Sequence, residues 1–186
     1  MPDARLDHVA LLVDDLEAAI ARVGLPADPP ADFPGEGTRE AYVGADAPAA
    51  RLLLMNALDP ASASPYARAL RRRGPGLHHL GLAVPDVAAY VAGLAGSGWY
   101  VLPGSVADLP GGAWLARPGV PVLVEVAGGR AGAGEPVVGL VEVPEGDRPG
   151  LMAALGVPGV VASPDGETWV TVAGARRAAR AWTTAR

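Results

Sequence analysis

The first strand-like segment of this chain occurs twice. Residues 6–19 read LDHVALLVDDLEAA and residues 77–90, 71 positions later, read LHHLGLAVPDVAAY. The copies coincide at Leu6/Leu77, His8/His79, Leu11/Leu82, Val13/Val84, Asp15/Asp86 and Ala18/Ala89. What they share physically is an apolar strand, an Asp suited to cap a helix, and an Ala-rich amphipathic stretch closed by Gly24 or Gly96. Such a repeat constrains the fold more than composition does, because a single unit of this size cannot bury its apolar face alone.

Each copy continues with strand-like segments broken by Gly and Pro. In the first they are Glu40 to Val43 and Arg51 to Met55; in the second, Trp99 to Leu102, Gly112 to Ala116 and Val120 to Val126. Between the copies, SPYARALRRRG predicts a helix with Ser64 as N-cap, Pro65 at the first helical position and Gly74 as terminator. Residues 128–136, GGRAGAGEP, have the composition of a flexible linker. Beyond them a strand over Val137–Val143, a helix over Pro149–Leu155, a hairpin over Val160–Ala173 turned at Pro164-Asp165-Gly166, and a surface helix over Arg176–Trp182 are expected. That tail has the order of a degenerate third copy without the His on its first strand.

Composition removes several chemistries. All 15 basic residues are Arg, and the sequence has no Lys and no Cys, so it has no Schiff-base or P-loop lysine, no thiolate nucleophile and no disulfide. A net charge of -5 argues against nucleic acid as a partner. No apolar run approaches the roughly 18 residues of a membrane span, and MPDARLDHVALL lacks the layout of an export signal. The expected address is the cytoplasm.

Two of the three His occupy equivalent repeat positions. If the copies pack about a pseudo-twofold axis, His8 and His79 project toward one centre, as two imidazoles binding one divalent metal would. His78 should alternate onto the opposite face of its strand. Glu125 interrupts the apolar strand PVLVEV; it is either an edge residue facing water or a buried carboxylate that needs a cation. With the two His it makes a two-His, one-carboxylate set that leaves metal positions open.

Paired strand-helix-strand-strand-strand modules with a His on each first strand and a Glu on the last strand resemble the vicinal oxygen chelate superfamily of glyoxalases, extradiol dioxygenases and bleomycin-resistance proteins. Within it the sequence resembles the methylmalonyl-CoA epimerases, through LDHVALLVDDLEAA, LLLMNALDPASASPYARALRRRGPGLHHLGLAVPDV and VPVLVEVAG. The resemblance implies an α+β fold in which paired βαβββ modules, residues 5–57 and 76–127 of a 1–127 domain, form curved sheets around a central cleft, with 137–186 as a C-terminal extension. It places the family's metal ligands on His8, His79 and Glu125, with a divalent ion of unspecified identity (Co, Mn, Zn, Fe or Ni). The family's fourth ligand, a Gln, falls on Leu53, or on Leu54 if the register slips by one; neither binds a metal, which leaves three ligands or signals that metal binding is lost. The proton-abstracting Glu falls on Glu40, with Glu125 also facing substrate.

The function so implied is a divalent-metal isomerase or lyase of epimerase type, acting beside the thioester carbonyl of a small-molecule substrate such as an acyl-CoA, in a homodimer. Arg71, Arg72 and Arg73 could attract CoA phosphates, or simply form a solvated helix C-terminus favoured by the helix dipole. Two alternatives stay open: a ring-cleaving dioxygenase, which needs only two His and one Glu, and a metal-free binding or resistance protein.

Overall fold

Two strands from equivalent points of the repeat meet at the centre of the molecule. In the computed structural model, which describes residues 3–44, 49–129, 132 and 134–183, β1 (Arg5–Leu12) pairs antiparallel with β5 (Gly76–Val84). On one side of this pair lie β4 (Arg51–Ala57), β3 (Thr38–Val43) and β2 (Ala31–Phe33); on the other lie β8 (Leu123–Gly128), β7 (Gly112–Ala116) and β6 (Tyr100–Val101). The order β2-β3-β4-β1-β5-β8-β7-β6 reads the same outward from the centre in both directions. In each half the first strand runs parallel to the last, β1 with β4 and β5 with β8. The protein is α+β, built on a curved sheet with few helices.

Helix α1 (Leu16–Val23) starts at Asp15, whose carboxylate accepts from the Ala18 N–H, and ends at Gly24 in the left-handed region. Helix α3 (Val87–Gly93) starts identically, with Asp86 accepting from the Ala89 N–H, but stops short of Gly96. Helix α2 (Pro65–Arg73) has the expected Ser64 cap and Gly74 stop. Alternation along the strands divides the sheet into two faces. Val9, Leu11, Leu52, Leu54, Leu80, Leu82, Val124 and Val126 join Leu16, Val87 and Tyr90 in the main core. The opposite face carries His8, Ala10, Leu12, Leu53 and Met55, and Tyr66, Ala69 and Leu70 of α2 cover its apolar part. Among the described residues no helix is long and apolar enough to cross a membrane.

Residues 138–183 form a second sheet. Its strands are β9 (Val138–Val143), β10 (Val160–Ala162), β11 (Trp169–Val172) and β12 (Ala175–Ala178), in the order β10-β9-β11-β12, with α4 (Leu151–Ala154) and α5 (Ala179–Thr183). The expected hairpin over 160–173 does not form: β10 and β11 lie on opposite sides of β9. The hairpin here is β11–β12, whose two-residue loop Ala173-Gly174 has φ of 45° and 80° at both positions, as a type I′ turn requires. The expected surface helix over 176–182 begins only at Ala179, and its Trp182 is buried with the indole N–H donating to the Val170 carbonyl. This unit attaches to the main core through Tyr90, whose hydroxyl donates to the Leu155 carbonyl, and Trp99, whose indole donates to the Leu151 carbonyl. Of the expected linker, residues 130, 131 and 133 lie outside the described residues.

The β1–β5 pairing is irregular at two points, and both bear on the His residues. Between Leu6 and His8 the register slips so that Asp7 is an extra residue, and between Leu77 and His79 the extra residue is His78. These are β-bulges, which turn two successive side chains to one side of a strand. Asp7 and His78 are themselves 71 positions apart, so the two bulges are equivalent points of the repeat. His8 then lies across Gly81, where an added Cβ would sit 2.1 Å from its Cε1 and 2.4 Å from its Nδ1. Gly81→Ala should therefore cost about 1–3 kcal/mol by forcing the imidazole aside. Gly93→Ala, in helix α3 with open space where a Cβ would stand, should lose nothing or gain roughly 0.5–1 kcal/mol. Urea unfolding of the two variants tests this, and equal stabilities would contradict the crossing of His8 over Gly81.

Candidate metal centre

His8, His79 and Glu125 come from β1, β5 and β8, three neighbouring strands of the sheet. The His8 Nε2 and His79 Nε2 are 3.0 Å apart, and each is 3.6 Å from the Glu125 Oε2. A circle through three atoms so spaced has a radius of about 2.0 Å, which matches the roughly 2.0–2.2 Å bonds that divalent ions make to imidazole and carboxylate. The donors thus fit a single ion. Both imidazoles are buried, whereas the Glu125 side chain is 36% exposed and forms the open side. Its strand β8 lies between β5 and β7, so the edge position open to water is not where it sits. Beside it a cavity of about 200 Å³ is lined by Asp7, His8, Gly81, Ala83, Glu125 and Gly129, among others.

The second nitrogen of each imidazole is also engaged. His8 Nδ1 lies 2.9 Å from the Asp7 carboxylate, and His79 Nδ1 lies 2.9 Å from His78 Nδ1. His78 is therefore not on the opposite face of its strand, because the bulge breaks the alternation. Burial pushes the His78 imidazole down to about 4, with Arg73 adding to the effect, and holds His79 well below the ordinary imidazole range. Both rings are neutral near pH 7, the state in which an imidazole nitrogen can bind metal. The hydrogen bond from His8 holds the Asp7 carboxyl below its usual range despite partial burial. Aromatic edges frame the pair, with Tyr42 5.8 Å from His8 and Trp114 5.0 Å from His79. Sequence reasoning did not reach Asp7, Tyr42 or Trp114 as neighbours of the His pair.

Leu53 pairs with Ala10 on β1, two residues from His8, so it shares the His8 face, while Leu54 belongs to the main core. The slipped register is thereby removed: the residue beside the centre is Leu53, buried against Ala10, Leu12 and Met55. Glu40 pairs with Met55 on the same face. It is half-buried, and its Oε1 accepts a 2.6 Å hydrogen bond from the Thr38 hydroxyl. Burial nevertheless raises its pKa above the usual carboxyl range, against the pull of that hydrogen bond. Burial raises Glu125 likewise, while His8 opposes the effect. Arg73 at the end of α2 donates to the Pro121 carbonyl at 2.8 Å, and Arg71 to the Pro60 carbonyl.

The family model described as the Glyoxalase/Bleomycin resistance protein/Dioxygenase superfamily matches residues 7–116. No match is found among curated proteins. Among solved structures, a hypothetical protein of Bacillus halodurans is similar with a TM-score of 0.53 and 21% identity, covering 72% of this chain and 99% of its own. A methylmalonyl-CoA epimerase in complex with methylmalonyl-CoA has a TM-score of 0.52 and 23% identity over 71% of this chain and 99% of its own. A glutamine-to-alanine variant of Streptomyces coelicolor methylmalonyl-CoA epimerase, in complex with 2-nitronate-propionyl-CoA, has a TM-score of 0.50 and 26% identity over 68% of this chain and 98% of its own. The paired half-sheets, the residues of the family match and these likenesses lead to one conclusion: the chain belongs to the glyoxalase/bleomycin resistance protein/dioxygenase superfamily.

Proposed function

We propose that this protein is a divalent-metal-dependent isomerase or lyase of epimerase type, which removes the proton next to the thioester carbonyl of an acyl-CoA. The observation that carries this reading is the convergence of His8 Nε2, His79 Nε2 and Glu125 Oε2 on one point, with the Glu40 carboxyl on the same face of the sheet. The likeness to an epimerase structure that holds an acyl-CoA analogue supports it. A cation held by His8, His79 and Glu125 would supply positive charge where a thioester oxygen becomes an enolate oxygen.

The chain's own residues supply the proton chemistry. The raised pKa of Glu40 suits a general base, since a carboxylate that binds its proton more tightly takes one from carbon more readily. The C–H bond breaks, its electron pair moves toward the carbonyl oxygen, and the proton passes to Glu40. Return of a proton to the opposite face of that carbon inverts it; Glu125, which borders the cavity from the other half-sheet, would deliver it from its protonated carboxyl, a form that its raised pKa favours, and be left as the carboxylate. Thr38 holds Glu40 in place by donating to the oxygen not needed for the transfer. The small residues Gly81, Ala83 and Gly129 leave room beside the centre for a short acyl group.

A ring-cleaving dioxygenase is the second reading, favoured by Leu53: an apolar residue beside the centre leaves a two-His, one-carboxylate set with open positions. Anaerobic loading with Fe(II), followed by catechols and oxygen, separates the two by whether a ring-opened product forms.

Two results are expected from the epimerase reading. Deuterium uptake from heavy water into methylmalonyl-CoA or a related acyl-CoA, followed by NMR, should fall about 10²- to 10⁴-fold in Glu40→Gln, whose amide can still accept from Thr38 but cannot take a proton. In the unaltered protein the rate should fall as pH drops through the raised Glu40 pKa, a decline that begins at higher pH than an ordinary carboxyl would give. Unchanged exchange in Glu40→Gln would remove Glu40 as the base. Leu53→Gln should bind Co or Mn ions more tightly in calorimetric titration, because it adds an oxygen donor on the His8 face; equal affinity would mean that position 53 does not reach the ion.

A further inference from the structure

We propose that Asp7 and His78 are paired positioning residues, one in each half of the sheet, which hold the neighbouring ligand imidazole through Nδ1 so that Nε2 faces the shared centre. This rests on the reading of His8, His79 and Glu125 as metal ligands. It goes further by assigning a role to two residues outside the ligand set.

Three observations converge on it. Asp7 and His78 occupy the same repeat position, each directly before a ligand His. Each is the extra residue of a β-bulge, and a bulge forfeits regular ladder pairing, so finding one at both equivalent points ties the irregularity to the His pair. Each makes the same contact at the same distance, 2.9 Å to the Nδ1 of its neighbour. In a regular strand neither contact could form, since adjacent side chains point to opposite faces.

Proton placement follows from the chemistry of the partners. A carboxylate only accepts, so His8 carries a proton on Nδ1 and presents Nε2 as a lone pair. The His78–His79 contact joins two Nδ1 atoms and holds one proton between them. For His79 to present its Nε2 lone pair, that proton belongs to its own Nδ1, and His78 accepts. The tautomer of a ligand imidazole is set by the bond its other nitrogen makes. The two halves of the sheet achieve the same tautomer with different partners, a carboxylate in one and an imidazole in the other.

The test compares zinc binding in the full-length protein and in Asp7→Ala, Asp7→Asn, His78→Phe and His78→Asn. Competition with a chromophoric chelator should show the Ala and Phe variants binding zinc about 10- to 100-fold more weakly. The Asn variants, whose side-chain oxygen can still accept from Nδ1, should recover most of that loss. Long-range ¹H–¹⁵N spectra of the zinc-loaded, ¹⁵N-histidine-labelled protein should show two rings protonated at Nδ1 and bound through Nε2. Asp7→Ala should disturb the ring of His8 alone and His78→Phe that of His79 alone; a general loss of structure would disturb both. Zinc affinity unchanged in both the Ala and Phe variants, or coordination through Nδ1 in the unaltered protein, would overturn the proposal. Absence of zinc binding by the unaltered protein would overturn it together with the metal reading. The expected ring pattern without deuterium exchange into any acyl-CoA would support it and remove only the epimerase reading.

Discussion

The antiparallel pairing of β1 with β5 is the constraint on which the rest of the site depends. It lays the two copies of the repeat side by side, so that His8 faces Gly81 and Ala10 faces His79. The missing side chain at position 81 gives the His8 ring its place over the neighbouring strand, and the two Nε2 atoms meet 3.0 Å apart. Glu125 joins them because β8 runs parallel to β5 with Gly81 opposite Glu125. A one-residue slip anywhere in this ladder would carry a donor to the other face of the sheet. The main core opposes such a slip, since Val9, Leu11, Leu80 and Leu82 would move out of it by the same step.

Burial has a second effect on the same residues. A face made of Ala10, Leu12, Leu53 and Met55 and covered by Tyr66 and Leu70 is poor solvent for charge. It keeps His78 and His79 neutral and raises the Glu40 and Glu125 carboxyls. Neutral imidazoles suit a metal, and a carboxyl with raised pKa suits proton transfer at carbon. The departure at Leu53 belongs to this environment: it supplies apolar surface where the family resemblance places a Gln, so an ion at this point would rest on the three donors alone.

Much of this arrangement was legible in the sequence because it rests on local signals. Asp15 and Asp86 cap their helices, and Ser64, Pro65 and Gly74 bound the linking helix, as their side chains and backbone preferences require. The equivalence of His8 and His79 came from the repeat alone. The bulges have no such signal, and regular alternation along its strand places His78 on the opposite face, where the structure does not have it. β2 was also hidden, since Ala31–Phe33 is short, exposed and set among Pro, Asp and Gly. In the extension, Pro164-Asp165-Gly166 looks like a hairpin turn, yet the strands it joins flank β9, and the turn that does close a hairpin, Ala173-Gly174, lacks the Asn or Asp that usually marks one.

The central claim is that His8, His79 and Glu125 hold one divalent ion together. X-ray absorption at the zinc edge, on protein loaded with zinc and freed of excess, tests it most directly. The account predicts one ion per chain, a nearest shell of nitrogen and oxygen at about 2.0–2.2 Å, and the outer-shell scattering of two imidazoles. His79→Ala should then reduce that scattering to a single ring. Zinc retained with no imidazole scattering, or scattering left unchanged by His79→Ala, would contradict it.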